Sequence, residues 1–275
     1  MSNWRTELAE AARSGTILEE SEANISLLLA GTNDRGAEEA VAQLVGDGHW
    51  EELNDRFYRK LAFGTGGMRG RTIGRVVAAA ERGSRESSER PEVPCYGTAT
   101  MNFYNLNRAI RGFIAYLKKN LNNAGEHRRP VFVIAHDTRH FSAEFGRYCG
   151  KICADLGCDA YLFEGPRSTP ELSFALRQLG ADGGVVLTAS HNPAQDNGFK
   201  AYYNDGGQIV EPHATGIMEE VNRLVTDSYD ALDEPERGTV HFLGKEMDEQ
   251  YMLRLEKNLL APELLEGRTA RVVYT

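Results

Sequence analysis

The chain has 275 residues, 41% of them hydrophobic and 26% charged, with a formal net charge of −9 at pH 7. That composition is globular and too acidic for the basic face that nonspecific nucleic-acid binding requires, although basic residues focused at one place could still hold a compact anion. No apolar run approaches the roughly 20 residues of a membrane span, and Met1 to Glu7 has no signal-peptide apolar core, so a cytoplasmic protein without membrane or nucleic-acid partners is expected.

Residues 1–62 read as helical, with Trp50, Leu53, Phe57 and Leu61 at helical spacing as core positions. A glycine-dense turn follows, Phe63-Gly64-Thr65-Gly66-Gly67-Met68-Arg69-Gly70. It matches neither the Walker pattern nor the dinucleotide fingerprint, but it permits close backbone approach, with Arg69 as the charge. The polar, proline-bearing residues 81–94 read as a mobile surface loop, and Asn102 to Leu121 as a helix. Val131 to Ala135 is an unbroken apolar run, the pattern of a buried strand. It leads through His136-Asp137-Thr138-Arg139-His140 to a helix from Ser142 to Gly157. A short strand, Ala160 to Phe163, comes next. Thr169-Pro170-Glu171 then opens a helix with a capping hydroxyl, an early proline and an early acid. That helix ends at Gly180, and a third strand runs from Gly184 to Thr188. Strand–helix–strand–helix–strand order implies right-handed crossovers and a parallel core. Residues 226–239, acidic and proline-containing, read as a solvated connector. Met247, Tyr251, Leu255 and Leu259 mark an amphipathic helix whose stripe packs on the sheet or stays in part an exposed interface. The four cysteines include no CxxC pair, which speaks against zinc and for buried, reduced thiols.

The chemistry gathers after Val185-Val186-Leu187, in Thr188-Ala189-Ser190-His191-Asn192-Pro193 and the following Asn197-Gly198-Phe199-Lys200. Loops at the carboxyl ends of parallel strands open onto one crevice. Three such strand-to-helix loops would bring Asp137, Arg139 and His140, then Arg167 and Ser168, around Ser190 and His191. Cations around a serine suit a phosphorylated ligand, because arginine forks match phosphate oxygens. A hairpin through Asn204-Asp205-Gly206-Gly207 would return Lys200 towards the serine loop. A serine hydroxyl is a weak nucleophile until a base takes its proton. His191 is the neighbour in sequence, yet neighbours in extended chain point apart, which makes it a phosphate or hydroxyl contact. Lys200 serves as the base if burial and nearby cations depress its pKa. An ordinary surface turn at Asn192-Pro193 would produce the same string.

Together these segments resemble the α-D-phosphohexomutases, in the phosphoglucomutase/phosphomannomutase branch that includes phosphopentomutase-like members. TASHNP with the downstream NGFK matches that family's phosphoserine signature, and Phe63 to Gly70, Asp137 with Arg139, and Thr169-Pro170 fall in its order. The resemblance implies an α/β fold with a mixed, largely parallel sheet sandwiched between helices. It implies that Ser190 carries a phosphoryl group, donates it to a hexose or pentose phosphate substrate, and takes one back from the sugar bisphosphate. It places Arg69, His191 and Lys200 around the reacting phosphate, with Lys200 as acid and base, and Thr65, Gly66, Arg139, Arg167 and Asn192 as phosphate or substrate contacts. It also implies Mg2+ bound through the phosphoryl oxygen on Ser190, and glucose 1,6-bisphosphate as activator.

The family's aspartate-rich metal loop, DGDxDR, has no counterpart in this sequence. By the resemblance, residues 1–265 are an N-terminal phosphoserine domain with a leading helical segment, and 266–275 the truncated start of a second domain. The C-terminal domains of a parent chain would then supply the metal and sugar loops, and the piece alone is expected to lack turnover. A serine hydrolase would need Gly-x-Ser-x-Gly, which is absent. The alternative is a non-catalytic sugar-bisphosphate-binding sensor or interaction domain, which would bind bisphosphate without phosphorylation of Ser190.

Overall fold

The computed structural model describes residues 3–62, 64, 66–261, 263, 267, 269, 271 and 273. The leading segment folds as four helices, α1 (Trp4–Arg13), α2 (Glu19–Gly31), α3 (Arg35–Gly46) and α4 (Trp50–Phe57). They close a core of their own, in which Ile25, Leu28, Leu44, Leu53 and Phe57 are buried. Strand β1 (Gly67–Arg71) and the short helix α5 (Ala79–Arg82) lead to the long helix α6 (Phe103–Asn123). Tyr104 of α6 joins the leading core.

The joint between the two units is a buried charge cluster. The Arg56 side chain is 1% exposed, donates from Nε to Glu52 Oε1 at 2.7 Å, and reaches both oxygens of Glu81. Glu81 in turn accepts the backbone N–H groups of Ala78 and Tyr96 at 3.0 Å. The expected surface loop over 81–94 is irregular and mainly exposed beyond Gly83, but Glu81 at its start is core.

From Val131 the chain follows the expected order. It runs β2 (Val131–His136), α7 (Ser142–Asp155), β3 (Asp159–Phe163), α8 (Thr169–Gln178), β4 (Gly183–Leu187), β5 (Asp196–Tyr203), α9 (His213–Arg223), β6 (Val240–Leu243) and α10 (Lys245–Glu256). The sheet order is β1-β5-β4-β2-β3-β6. β2 pairs parallel with β3 and β4, and β3 with β6, whereas β5 runs antiparallel to both β4 and β1. The sheet is therefore mixed and largely parallel. Successive strand residues face opposite sides. Phe132 and Ile134 pack with α6, α7 and α9 on one face, and Val133 and Ala135 with α8 and Met247 of α10 on the other. Burial on both faces is why β2 reads as an unbroken apolar run.

Several expectations change in detail. The hydroxyl that caps α8 is that of Ser168, which accepts from Glu171 N, with Thr169 already inside the helix. The glycine-dense turn is half strand, since β1 begins at Gly67. β6 is an unforeseen edge strand directly after the connector, which is mainly exposed, as expected. All four cysteines are buried and free, and burial pushes the Cys95 thiol up to about 12. No helix among the described residues is long and apolar enough to cross a membrane. The supposed start of a second domain, 266–275, lies outside the described residues save for isolated positions.

The apolar stripe of α10 docks through its first two turns. Met247 is buried and Tyr251 lies against Phe174, while Leu255 and Leu259 are 40% and 51% exposed. What else fastens the helix is a polar latch. Arg167 donates from Nε and a terminal nitrogen to the two Asp248 oxygens, each at 2.7 Å. Beside it, burial and a hydrogen bond shared with Asp248 raise the Glu171 carboxyl to about 7. Asp248→Ala is expected to cost the attachment of α10 about 1 kcal/mol. Its amides should then exchange several-fold faster while those of β2 and β4 are unchanged; equal exchange in α10 would show that the latch does not hold it.

Candidate active site

β4 ends at Leu187, and residues 188–195 form a loop that returns as β5. The serine loop is thus a strand-to-strand connection, not the third strand-to-helix loop that the sequence suggested. Within it Ser190 is exposed and takes a left-handed backbone conformation, φ 56°. That region is uncommon for a residue with a side chain and costs on the order of 1 kcal/mol unless the surroundings enforce it. Part of the enforcement is local: Ser190 N donates to Thr188 Oγ1 at 2.9 Å.

The antiparallel return sets the reacting pair. Lys200 on β5 sits opposite Val186 of β4, and its Nζ donates to Ser190 Oγ at 2.5 Å. The hairpin at Asn204 to Gly207 was expected to bring Lys200 here. It exists only as a tight turn closed by a single Tyr202–Gln208 bridge, and the β4–β5 pairing does the positioning. The Lys200 pKa is lowered, first by burial and then by the charge of Arg69, with Asp137 opposing. An amine held down in this way and touching a serine hydroxyl can take up and return its proton below the usual lysine range.

Arg69 arrives from the other side. β1 pairs with β5 so that Arg69 faces Gly198 and Gly67 faces Lys200. The approach requires glycine, because a Cβ on Gly67, whose φ is 133°, would lie 1.8 Å from Phe199 O. The Arg69 side chain is exposed and makes no hydrogen bond or ion pair among the described residues. Gly66 O accepts from Ala201 N and Gln208 Nε2, both at 3.0 Å, which locks the glycine turn onto β5. Gly66, Arg69, Lys200 and Gln208 line a cleft of ≈ 230 Å³. Thr65 lies outside the described residues.

The remaining expected contacts divide. His191 is exposed beside Ser190. The Asn192 amide donates to Asp196 Oδ2 at 3.1 Å, within the loop. Arg139 does reach the serine loop, but its N–H groups go to loop carbonyls. Arg167 is committed to Asp248 on α10, and the structure does not bring its guanidinium into the Ser190–Lys200–Arg69 group. Sequence reading passed over Ser142 and Gln208 and gave Asn197 no role. Asn197 and Ser142 are fully buried and bonded to each other at 2.9 Å, and Ser142 Oγ donates to Asp137 Oδ1 at 2.7 Å. The signal for Asn197 was a polar residue where a strand should bury an apolar one.

Magnesium keeps several waters and takes its protein ligands from one or two carboxylates beside phosphate oxygens. Among the described residues no group of three or more His, Cys, Asp or Glu side chains could hold a metal ion. The nearby Asp137 carboxylate is bonded to Ser142 and Arg139. Among the described residues the side chains present do not make a magnesium site.

Residues 94–227 match the family model for the phosphoglucomutase/phosphomannomutase α/β/α domain I. A phosphoglucomutase of Staphylococcus epidermidis is 31% identical over 209 residues, 75% of this chain and 33% of that protein. Human phosphopentomutase is 31% identical over 189 residues, 66% of this chain and 27% of its own length. Among solved structures, one from Thermus thermophilus, described as a phosphomannomutase, aligns with a TM-score of 0.54 at 30% identity, covering 75% of this chain and 38% of that one. The chain spans about a third of the length of the curated relatives it matches. Residues 94–227 are a domain I of this kind, and over about three quarters of its length the chain is similar to members of the phosphoglucomutase/phosphomannomutase family.

Proposed function

We propose that this domain supplies the phosphoserine half of a phosphomutase that interconverts hexose or pentose 1-phosphates and their 6- or 5-phosphates. The observation that carries the reading is the Lys200 Nζ contact with Ser190 Oγ at 2.5 Å, on an exposed, conformationally strained serine with Arg69 across the same strand. Phosphoryl transfer asks mainly for positioning and charge neutralisation, and a phosphoserine brings about −1.5 to −2 charge at neutral pH. Arg69 and Lys200 would meet that charge.

In the donating step the sugar hydroxyl oxygen bonds to phosphorus and gives up its proton to water, and the phosphorus–Oγ bond breaks. Lys200 as ammonium gives its proton to the departing Ser190 oxygen. In the returning step the bisphosphate is attacked by Ser190 Oγ, its hydroxyl proton passes to the neutral Lys200 amine, and the sugar oxygen leaves and takes a proton from water. The same lysine therefore acts in both directions, which requires a pKa below the ordinary lysine value, as its surroundings produce. Glucose 1,6-bisphosphate would prime the serine, and magnesium, when bound with ligands from elsewhere, would neutralise phosphoryl charge.

Ser190→Ala is expected to abolish interconversion of glucose 1-phosphate and 6-phosphate, and of the corresponding ribose phosphates, by the protein isolated from its own cells. Retained turnover in that variant would exclude the serine as phosphoryl carrier. The isolated 275-residue chain is expected to fold and to show negligible turnover.

A further inference from the structure

We infer that Arg139 is a positioning residue for phosphoryl transfer, holding the serine loop from beneath so that the loop's unused backbone N–H groups, that of His191 first, face the phosphate. The inference rests on the reading of Ser190 as the phosphoryl carrier. Its geometric basis is one guanidinium spread over one loop. One terminal nitrogen donates to Ser190 O at 2.6 Å and Asn192 O at 2.7 Å. The other donates to Pro193 O at 2.8 Å and Asp196 O at 3.1 Å. Nε lies 3.3 Å from Asp137 Oδ2. Both terminal nitrogens are thereby spent on carbonyls, and Nε is buried beside Asp137 without a hydrogen bond, so the fork has no accessible N–H left for a phosphate oxygen.

A planar trans peptide points its N–H opposite to its C=O. Drawing the carbonyls of Ser190 and Pro193 onto Arg139 turns the N–H groups of His191 and Ala194 the other way. Neither of those two N–H groups meets an acceptor among the described residues. The Arg139 side chain is 13% exposed and Ser190 is on the open face of the loop. A concave set of free N–H groups is an anion site. The left-handed turn at Ser190 has the same origin, because its carbonyl is held down while its side chain stays up. Arg139 is itself anchored: Asp137 Oδ1 accepts Arg139 N at 2.9 Å and Ser142 Oγ at 2.7 Å, and Ser142 is tied to Asn197 of β5.

The test places phosphoserine at position 190 of the whole chain by codon suppression and titrates its phosphorus-31 resonance, with thermal melting as the check on folding. A phosphate on Ser190 would meet Lys200, whose Nζ touches Ser190 Oγ, with Arg69 on the neighbouring strand, the exposed His191 next in the chain and the Asp137–Arg139 pair beside the loop. In the parent, its second ionisation is expected well below the free value of about 6, because nearby cations and N–H donors favour the dianion. Arg139→Lys keeps the charge but cannot span four carbonyls, and should move that ionisation back up by about half a unit or more. Asp137→Asn should move it part of the way, and carries the comparison if the lysine variant does not fold. A purely structural role would lower the melting temperature and leave the ionisation unmoved in both variants, which overturns the inference. A parent phosphate that titrates like free phosphoserine would instead overturn the reading of Ser190.

Discussion

Lys200→Met is expected to slow phosphoryl exchange through Ser190 by about 10²–10⁴-fold, the usual contribution of a positioned proton-transfer group. Its side chain is partly exposed on a strand whose neighbours hold their pairing through the backbone, so melting should change little. Lys200→Arg separates the two things the residue could do. It retains a cation beside the phosphate, but a guanidinium does not give up its proton. A loss as large as that of the methionine variant assigns the effect to proton transfer, whereas near-parental rates in the arginine variant would assign it to charge alone. The pH profile carries the same information. With the Lys200 pKa lowered by burial and by Arg69, the neutral amine that accepts the Ser190 proton becomes available below the usual lysine range. Phosphorylation of Ser190 should therefore rise with pH and level off above the depressed pKa. A profile rising only where ordinary lysines titrate would contradict this.

The second large effect concerns stability. Arg56→Met is expected to cost about 3–5 kcal/mol, the usual consequence of leaving a buried charge without its partner. Here the Glu52 and Glu81 side chains, 3% and 1% exposed, would both lose it. For a chain of this size the melting temperature should fall by about 10 °C. Adding Glu81→Gln, which removes one of the stranded charges, should recover part of the loss, and this non-additivity is the signature of a shared cluster. A melting temperature unchanged by Arg56→Met would show that the leading helices are held to the sheet by their apolar core alone. Because Arg56 also fixes Val76 O and, through Glu81, the backbone at Tyr96, amides of residues 72–97 should lose exchange protection with it.

Much of this architecture was legible beforehand, for reasons that particular residues make plain. β2 and β4 are buried on both faces, and their unbroken apolar runs leave no other reading. α8 declared itself through Pro170 and Glu171, with the cap misplaced by one residue. β1 was hidden because Gly67 and Gly70 signal a turn, whereas here glycine serves the close passage of one strand over another. β5 was hidden in part because it begins Asp196-Asn197-Gly198, turn residues by composition, although Asn197 is spent on Ser142 and His140. β6 has four residues, only one of them buried, and offers no periodicity to detect.

In the site, Ser190 and Lys200 were legible as a pair, but the antiparallel return that joins them was not. The arginines could not be sorted from sequence. A guanidinium fork fits phosphate oxygens and carbonyl oxygens alike, and only the fold shows that Arg139 took the loop, Arg167 took Asp248, and Arg69 stayed open.

The most direct measurement is a peptide-resolved mass analysis of the protein isolated from its own cells, repeated after incubation with glucose 1,6-bisphosphate and magnesium. One phosphoryl group is expected on the peptide carrying Ser190 and on no other serine, and it should be lost on addition of hexose 1-phosphate. An unmodified Ser190 under both conditions, with the bisphosphate still bound, would contradict the phosphoenzyme and leave a domain that senses sugar bisphosphates without turning them over.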